Sequence, residues 1–353
     1  MTEQIPESVL EWLLSADNQP VRYLTLTHLM GRPQSDPEVK EAEARCGEYA
    51  PTRTILSQCD EYRDDGRGRA YRKYTGRYWQ LIFLGQYRAD GRDSRVRELA
   101  ERLIEKRDWS LIPRGSQCLT SYLLSALSLL GYGGRPTVKE AIVSLAEGLV
   151  RDGGIACEVM EYSLLPHCYM AQPKLLLCFA SNDEVRGHPS VARATDMIRR
   201  NLTTNQIHVY VPGNRNEWLK VLAKKPDKAR LHGATVKSWV RDRKKRFLSE
   251  KGPGKPVAKP GWLRFGFPLH YNSDLLEALY ALALCGAPAD KKLGAPLDLL
   301  RGKMDSEGRW ILESSLNGKM RADVETVGSP SKWLTYRAWY ALRHFEGARG
   351  KDI

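Results

Sequence analysis

The chain lacks what would mark a membrane or secreted protein. Its longest apolar stretches, "KLLLCFA" and "ALYALALCG", fall far below the roughly 20 residues that a bilayer span needs. The opening "MTEQIPESVLEWLL" is acidic where a secretory leader is basic, and no long apolar run follows it. Cysteine is sparse: seven in 353 residues, an odd number, with no Cys-x-x-Cys anywhere. That usage argues against a disulfide framework and leads us to expect a reducing, cytoplasmic location with no transmembrane segment.

Acidic residues are scarce in one place. Between Lys220 and Lys259 fourteen Lys/Arg stand against three Asp/Glu, so that segment holds +11 of the chain's net +13. The rest is a near-neutral body, 42% apolar over the whole chain and ample for a buried core. The charge therefore speaks of one basic segment, not of a basic protein.

What is present is a repeat. "YLLSALSLLGYGGRPTVKEAIVSLAEGLVRDGG" (Tyr122–Gly154) reads as an apolar helix ending near Gly131, a short turn, and a second helix with Val138, Ala141, Ile142 and Leu145 on one face. The form recurs along the chain, with helices expected to end near Gly31, Gly85, Gly131, Asn182, Gly286 and Gly347. The steps are about fifty residues, except one of 104 between Asn182 and Gly286. That long step predicts a degenerate repeat near position 233, inside the basic segment. In each pair the first helix is the more apolar and the second is charged on one face. The prediction is all-α: a single domain over 1–353, an α/α toroid of about six helical hairpins with inner and outer rings. Residues 220–260 form a basic, partly flexible insertion within the degenerate repeat. An open HEAT-like solenoid is the alternative.

"RDGGIAC" and "MDSEGRW", each after a second helix, look like the Q-x-x-D-G-G/S-W turns of terpenoid cyclases and protein prenyltransferase β subunits. With "PVRYLTLTHLMGR", "YTGRYWQLIFLG", "FGFPLHYNSDLLEALYAL" and "SPSKWLTYRAW", the chain resembles the short squalene-cyclase-like or prenyltransferase-like proteins of bacteria and archaea. The resemblance implies the toroid and an isoprenoid-like ligand, and it leaves the reaction open. The Asp-x-Asp-Asp acid of polyene cyclisation is missing, and "RDD" at Arg63–Asp65 lacks the spacing of a diphosphate–metal motif.

Four groups of residues can carry chemistry. Cys118, Cys157 and Cys168 fall at helix boundaries that a toroid gathers at one rim. They suit Zn²⁺, with His167 or His270 as the fourth ligand; buried thiols that simply pack are the alternative. The resemblance adds that related proteins carry cysteines at these places. "RKYTGRYWQL" and "SPSKWLTYRAW" offer Lys73, Arg77, Lys332 and Arg337 to an anionic head, and Tyr78, Trp79 and Trp333 to an apolar body. His270, Tyr271 and Asp274 can serve as base, phenolic acid and orienting carboxylate, though Asp274 equally suits a helix N-terminus. Asp323 and Glu325 are a further acid pair. "TVKSWVRDRKKRFL" has an apolar stripe of Val236, Trp239, Val240 and Phe247. It leaves Arg241, Arg243, Lys244, Lys245 and Arg246 for nucleic acid or an anionic membrane.

The leading expectation is a binder, or an enzyme of terpenoid cyclase/prenyltransferase type, for a small ligand with an anionic head, with zinc at the cavity mouth. The alternatives are nucleic-acid binding through 220–260 and a carbohydrate-active toroid, which needs two facing carboxylates.

Overall fold

The computed structural model describes residues 4–63, 70–105, 117–154, 164, 168–227 and 235–349. Over these the chain is mostly helical, and no helix is long and apolar enough to cross a membrane. In chain order the first elements are α1 (Glu7–Leu13), α2 (Gln19–Leu24, running on as a wider turn over Thr25–Leu29), α3 (Pro37–Ala44), α4 (Ala50–Ser57), α5 (Cys59–Arg63), α6 (Arg77–Gln86) and α7 (Ser94–Glu105). Then come α8 (Gln117–Leu127), α9 (Pro136–Asp152), α10 (Ala171–Ala180), α11 (Asp183–Arg186) and α12 (Pro189–Thr204). The strands β1 (Val209–Pro212) and β2 (Pro256–Ala258) bracket α13 (Arg215–Leu222) and α14 (Val236–Lys251). The chain ends with α15 (Leu275–Leu284), α16 (Gly294–Arg301) and α17 (Lys332–Arg349).

Local sequence sets the helix starts. Proline at the first position begins α3, α9 and α12, where its missing N–H costs nothing. Asn18, Asp36, Thr235 and Asp274 cap helices through side-chain oxygens.

The helices divide by burial. From Arg77 to Gly85 every residue of α6 is buried, and from Leu275 to Ala283 every residue of α15. By contrast α7 buries one stripe, Val96, Leu99, Ala100, Leu103 and Ile104. Six apolar helices pack in succession: α6 on α8, α8 on α10, α10 on α15, α15 on α17, and α17 back on α2. Each takes a second helix: α3 on α2, α7 on α6, α9 on α8, α12 on α10, α16 on α15. The mate of α17 is α1, from the other end of the chain. The "DSEGRW" turn ties α16 to α17. The Trp339 indole donates to the Gly308 carbonyl at 2.9 Å, and Trp310 Nε1 donates to Leu300 O at 2.8 Å.

The degenerate repeat expected near position 233 is centred outside the described residues, and among the described residues no helix pair comes between α10 and α15, which pack directly on each other. Residues between the strands instead pair α13 with α14 around a separate small core of Leu164, Trp218, Leu222, Val240 and Phe247. The antiparallel β1–β2 pair closes this flap at its base. As expected, α6 ends beside Gly85, at Gln86, and α17 ends close to Gly347, at Arg349.

The use of Gly85 is contact. A Cβ there would lie 2.6 Å from Ala126 Cα and 2.7 Å from Ala126 Cβ, both on α8. Glycine to alanine inside a helix ordinarily gains about 1 kcal/mol, but the obstructing atom here is backbone and cannot swing aside. Overpacking costs about 1–3 kcal/mol, so Gly85→Ala is predicted to lower the urea unfolding midpoint. A midpoint that rises would show that α6 and α8 do not approach this closely.

Candidate functional site

A cavity of about 460 Å³ is lined by residues from all six apolar helices. Arg88, Ser181, Asp183 and Arg186, just past the ends of α6 and α10, line it too, so it opens toward the helix C-termini.

A buried polar cluster lies at its depth. Lys174, in the apolar run of α10, is wholly buried. Its ammonium donates to Glu277 Oε2 at 2.7 Å, Ser273 Oγ at 2.6 Å and the Asn272 carbonyl at 3.0 Å, which uses all three of its hydrogens. Tyr122 of α8 donates to Glu277 Oε1 at 2.6 Å, and Lys174 Nζ lies 5.0 Å from its ring centre. Burial, then the Glu277 charge, pushes the Tyr122 phenol well above its ordinary range.

Arg337 of α17 is different. It is 8% exposed and lines the cavity. Its guanidinium lies over the rings of Phe267 at 4.8 Å and Tyr280 at 5.3 Å. With the described residues it makes no hydrogen bond or ion pair. Beside it runs a chain of polar contacts: His28 Nδ1 is 2.6 Å from the Tyr336 hydroxyl, which is 3.1 Å from the Tyr280 hydroxyl. Burial first, and then Arg88, pushes the His28 imidazole down to about 4, so it is neutral at pH 7 and can accept a proton in a hydrogen bond.

Of the residues singled out in the sequence, Trp333 and Arg337 reach this cavity. Lys332 points the other way, bonded to Asp17 and Ser15 beside α1. Arg77, Tyr78 and Trp79 are buried core, with Arg77 lying over the Tyr78 ring. Lys73 is exposed and lies over the Tyr74 and Tyr271 rings. The Tyr271 hydroxyl meets that of Tyr71, and His270 packs on Tyr74 at 5.4 Å. Burial, Lys174 and Lys73 push the His270 imidazole down to about 4. All of these sit at the N-terminal ends of the helices, away from the mouth. Asp274 caps α15: Oδ1 accepts the Glu277 amide at 2.7 Å and Oδ2 the Gly266 amide at 2.8 Å. Glu325 likewise accepts from Ser331 and the Lys332 amide at the start of α17, and Asp323 accepts the Gly318 amide.

Cys118 and Cys168 are buried at the starts of neighbouring helices, while Cys157 and His167 lie outside the described residues. Among the described residues no three His, Cys, Asp or Glu side chains are grouped to hold a metal ion. Of the three cysteines expected to bind zinc, Cys118 and Cys168 lie among the described residues. Sequence reasoning missed His28, Arg88, Lys174 and Glu277. The last two carried a signal: a lysine in "PKLLLC" and an acid in "DLLEALYALAL" are charges inside apolar helices.

No protein-family model, characterised protein or solved structure matches the chain.

Two predictions concern the buried cluster. Lys174→Met strands Glu277 without a counter-charge and is predicted to cost about 3–5 kcal/mol. Adding Glu277→Leu should recover a large part of that in chemical denaturation; a double variant no better than the single would argue against coupling. Burial, then Glu277, pushes the Asp274 carboxyl up to about 7 from 3.8. The unfolded chain releases that proton first, so the contribution to stability is present at low pH and fades as pH rises from about 4 to about 7. Asp274→Asn is predicted to flatten the stability–pH curve in that window, and an unchanged slope would contradict it.

Proposed function

We propose that the chain is an α/α toroid whose central cavity binds a small ligand with an anionic head and an apolar or aromatic body. One observation carries this reading: Arg337 is a buried guanidinium held only by ring faces, turned to a cavity, with its hydrogen-bond donors unclaimed by the described residues. A buried cation is costly unless paired, and a carboxylate or phosphate oxygen would pair it with the geometry that arginine favours. The toroid reading is supported by the succession of six apolar helices from α6 round to α2, each packed on the next, and by the contribution of all six to one cavity. Tyr280, Tyr336 and Trp333 supply the wall for the body of the ligand. The resemblance to terpenoid cyclases and prenyltransferases makes an isoprenoid diphosphate the first candidate. The His28–Tyr336–Tyr280 chain offers a proton relay beside it, which suits an enzyme as well as a binder.

The test is a thermal-shift series with inorganic diphosphate, farnesyl diphosphate and a medium-chain fatty acid. An amphiphile with an anionic head is predicted to raise the melting temperature more than inorganic diphosphate does. Arg337→Gln should weaken binding by about 10- to 100-fold, the value of one charge-assisted contact. No shift with any of the three, in protein freed of co-purified lipid, would remove the reading.

A further inference from the structure

The basic flap has a role separate from the cavity. We propose that the α13–α14 flap is a nucleic-acid-binding surface that grips the phosphate backbone of a duplex without reading its sequence. The stripe of α14 decides between the two polyanions that its charge would suit. A membrane-bound helix must have its apolar face free to enter the lipid. Here Val240 and Phe247 are buried against Trp218 and Leu222, and Val236, Trp239 and Leu248 pack on the same small core. The apolar face is used up inside the flap, and what α14 offers outward is cations.

Arg241, Arg243, Lys245 and Arg246 are exposed, and Lys244 is half-buried. Arg243 stacks on Trp239, 5.6 Å from the ring centre, and neither it nor Lys245 has an acidic partner among the described residues. Arg241 and Arg246 meet Asp242 at 3.6 Å and Glu250 at 2.8 Å. These are exposed pairs that contribute little and exchange readily for phosphate. A helix of 16 residues is about 24 Å long, comparable to about seven base-pair steps of phosphates at 3.4 Å per strand. The near-neutral charge of the rest of the chain confines the attraction to this flap.

The experiment is fluorescence anisotropy of the full chain with labelled 24-base-pair DNA and RNA duplexes, between 50 and 200 mM salt. Binding to at least one duplex is expected, weakening tenfold or more across that range. The triple variant Arg241→Glu, Arg243→Glu, Lys245→Glu, which touches exposed side chains only, should keep its melting temperature. It should lower the slope of log affinity against log salt by about 3, at roughly 0.9 per phosphate contact. The proposal fails if neither duplex binds at 50 mM salt, or if the folded triple variant binds as the parent does. It also fails if phosphatidylserine vesicles capture the protein while both duplexes are ignored.

Discussion

Lys174 places an ammonium ion inside an apolar helix, and the arrangement of its neighbours follows from the need to compensate it. Desolvating such an ion costs several kcal/mol, so every hydrogen must find an acceptor. The acceptors come from the start of α15 and the loop before it, and Tyr122 from α8 completes the carboxylate's hydrogen bonding. One buried cluster thus fixes the register of three successive apolar helices. A shift of any of them by one residue would leave a charge or hydroxyl unpaired in the core. The cluster also explains the chemistry above it. With Lys174 and Glu277 neutralising one another, Arg337 is the deep cation without an ionic partner among the described residues.

Helix direction sharpens the point. The apolar helices present their C-terminal ends at the mouth, and those ends carry partial negative charge. An anion is therefore not drawn to the mouth by the helix dipoles, as it would be at N-termini. Cations there offset the dipoles: Arg88 follows α6, and Arg186 donates to the Ala180 carbonyl at the end of α10. These arginines serve the helix ends first. The interior guanidinium of Arg337, clasped by two rings, is free of that duty among the described residues, which is why the proposed anion site is placed there and not at the mouth.

Much of the fold was legible because it rests on local rules. Period, capping residues and the contrast between all-round and one-sided burial are written in each helix. The position of the candidate site was not, because it depends on which ends of the packed apolar helices are filled. At the N-terminal end Tyr74, Trp79, His270 and Tyr271 fill the space with their own rings. A string such as "RKYTGRYWQL" reads the same whether its aromatics line a pocket or close it. Arg337 and Trp333 were found, yet Lys332 beside them faces α1, since adjacent positions on a helix lie about 100° apart. His28 gave no signal: its partner Tyr336 is 308 residues away.

The place of the basic segment was hidden for the same reason. A step of 104 residues allows either two ordinary hairpins or one hairpin and an insertion, and periodicity cannot choose between them. Packing can. The direct contact of α10 with α15 is held by the Lys174–Glu277 pair, whose partners are 103 positions apart and 2.7 Å from each other. A helix placed between them would separate the charges and leave both buried alone, at a cost of several kcal/mol. The ion pair therefore keeps the basic segment from lying between α10 and α15. Left outside, its apolar stripe must find its own cover, and α13 supplies it through Trp218 and Leu222. The flap and its outward cations are thus a consequence of how one lysine is compensated in the core.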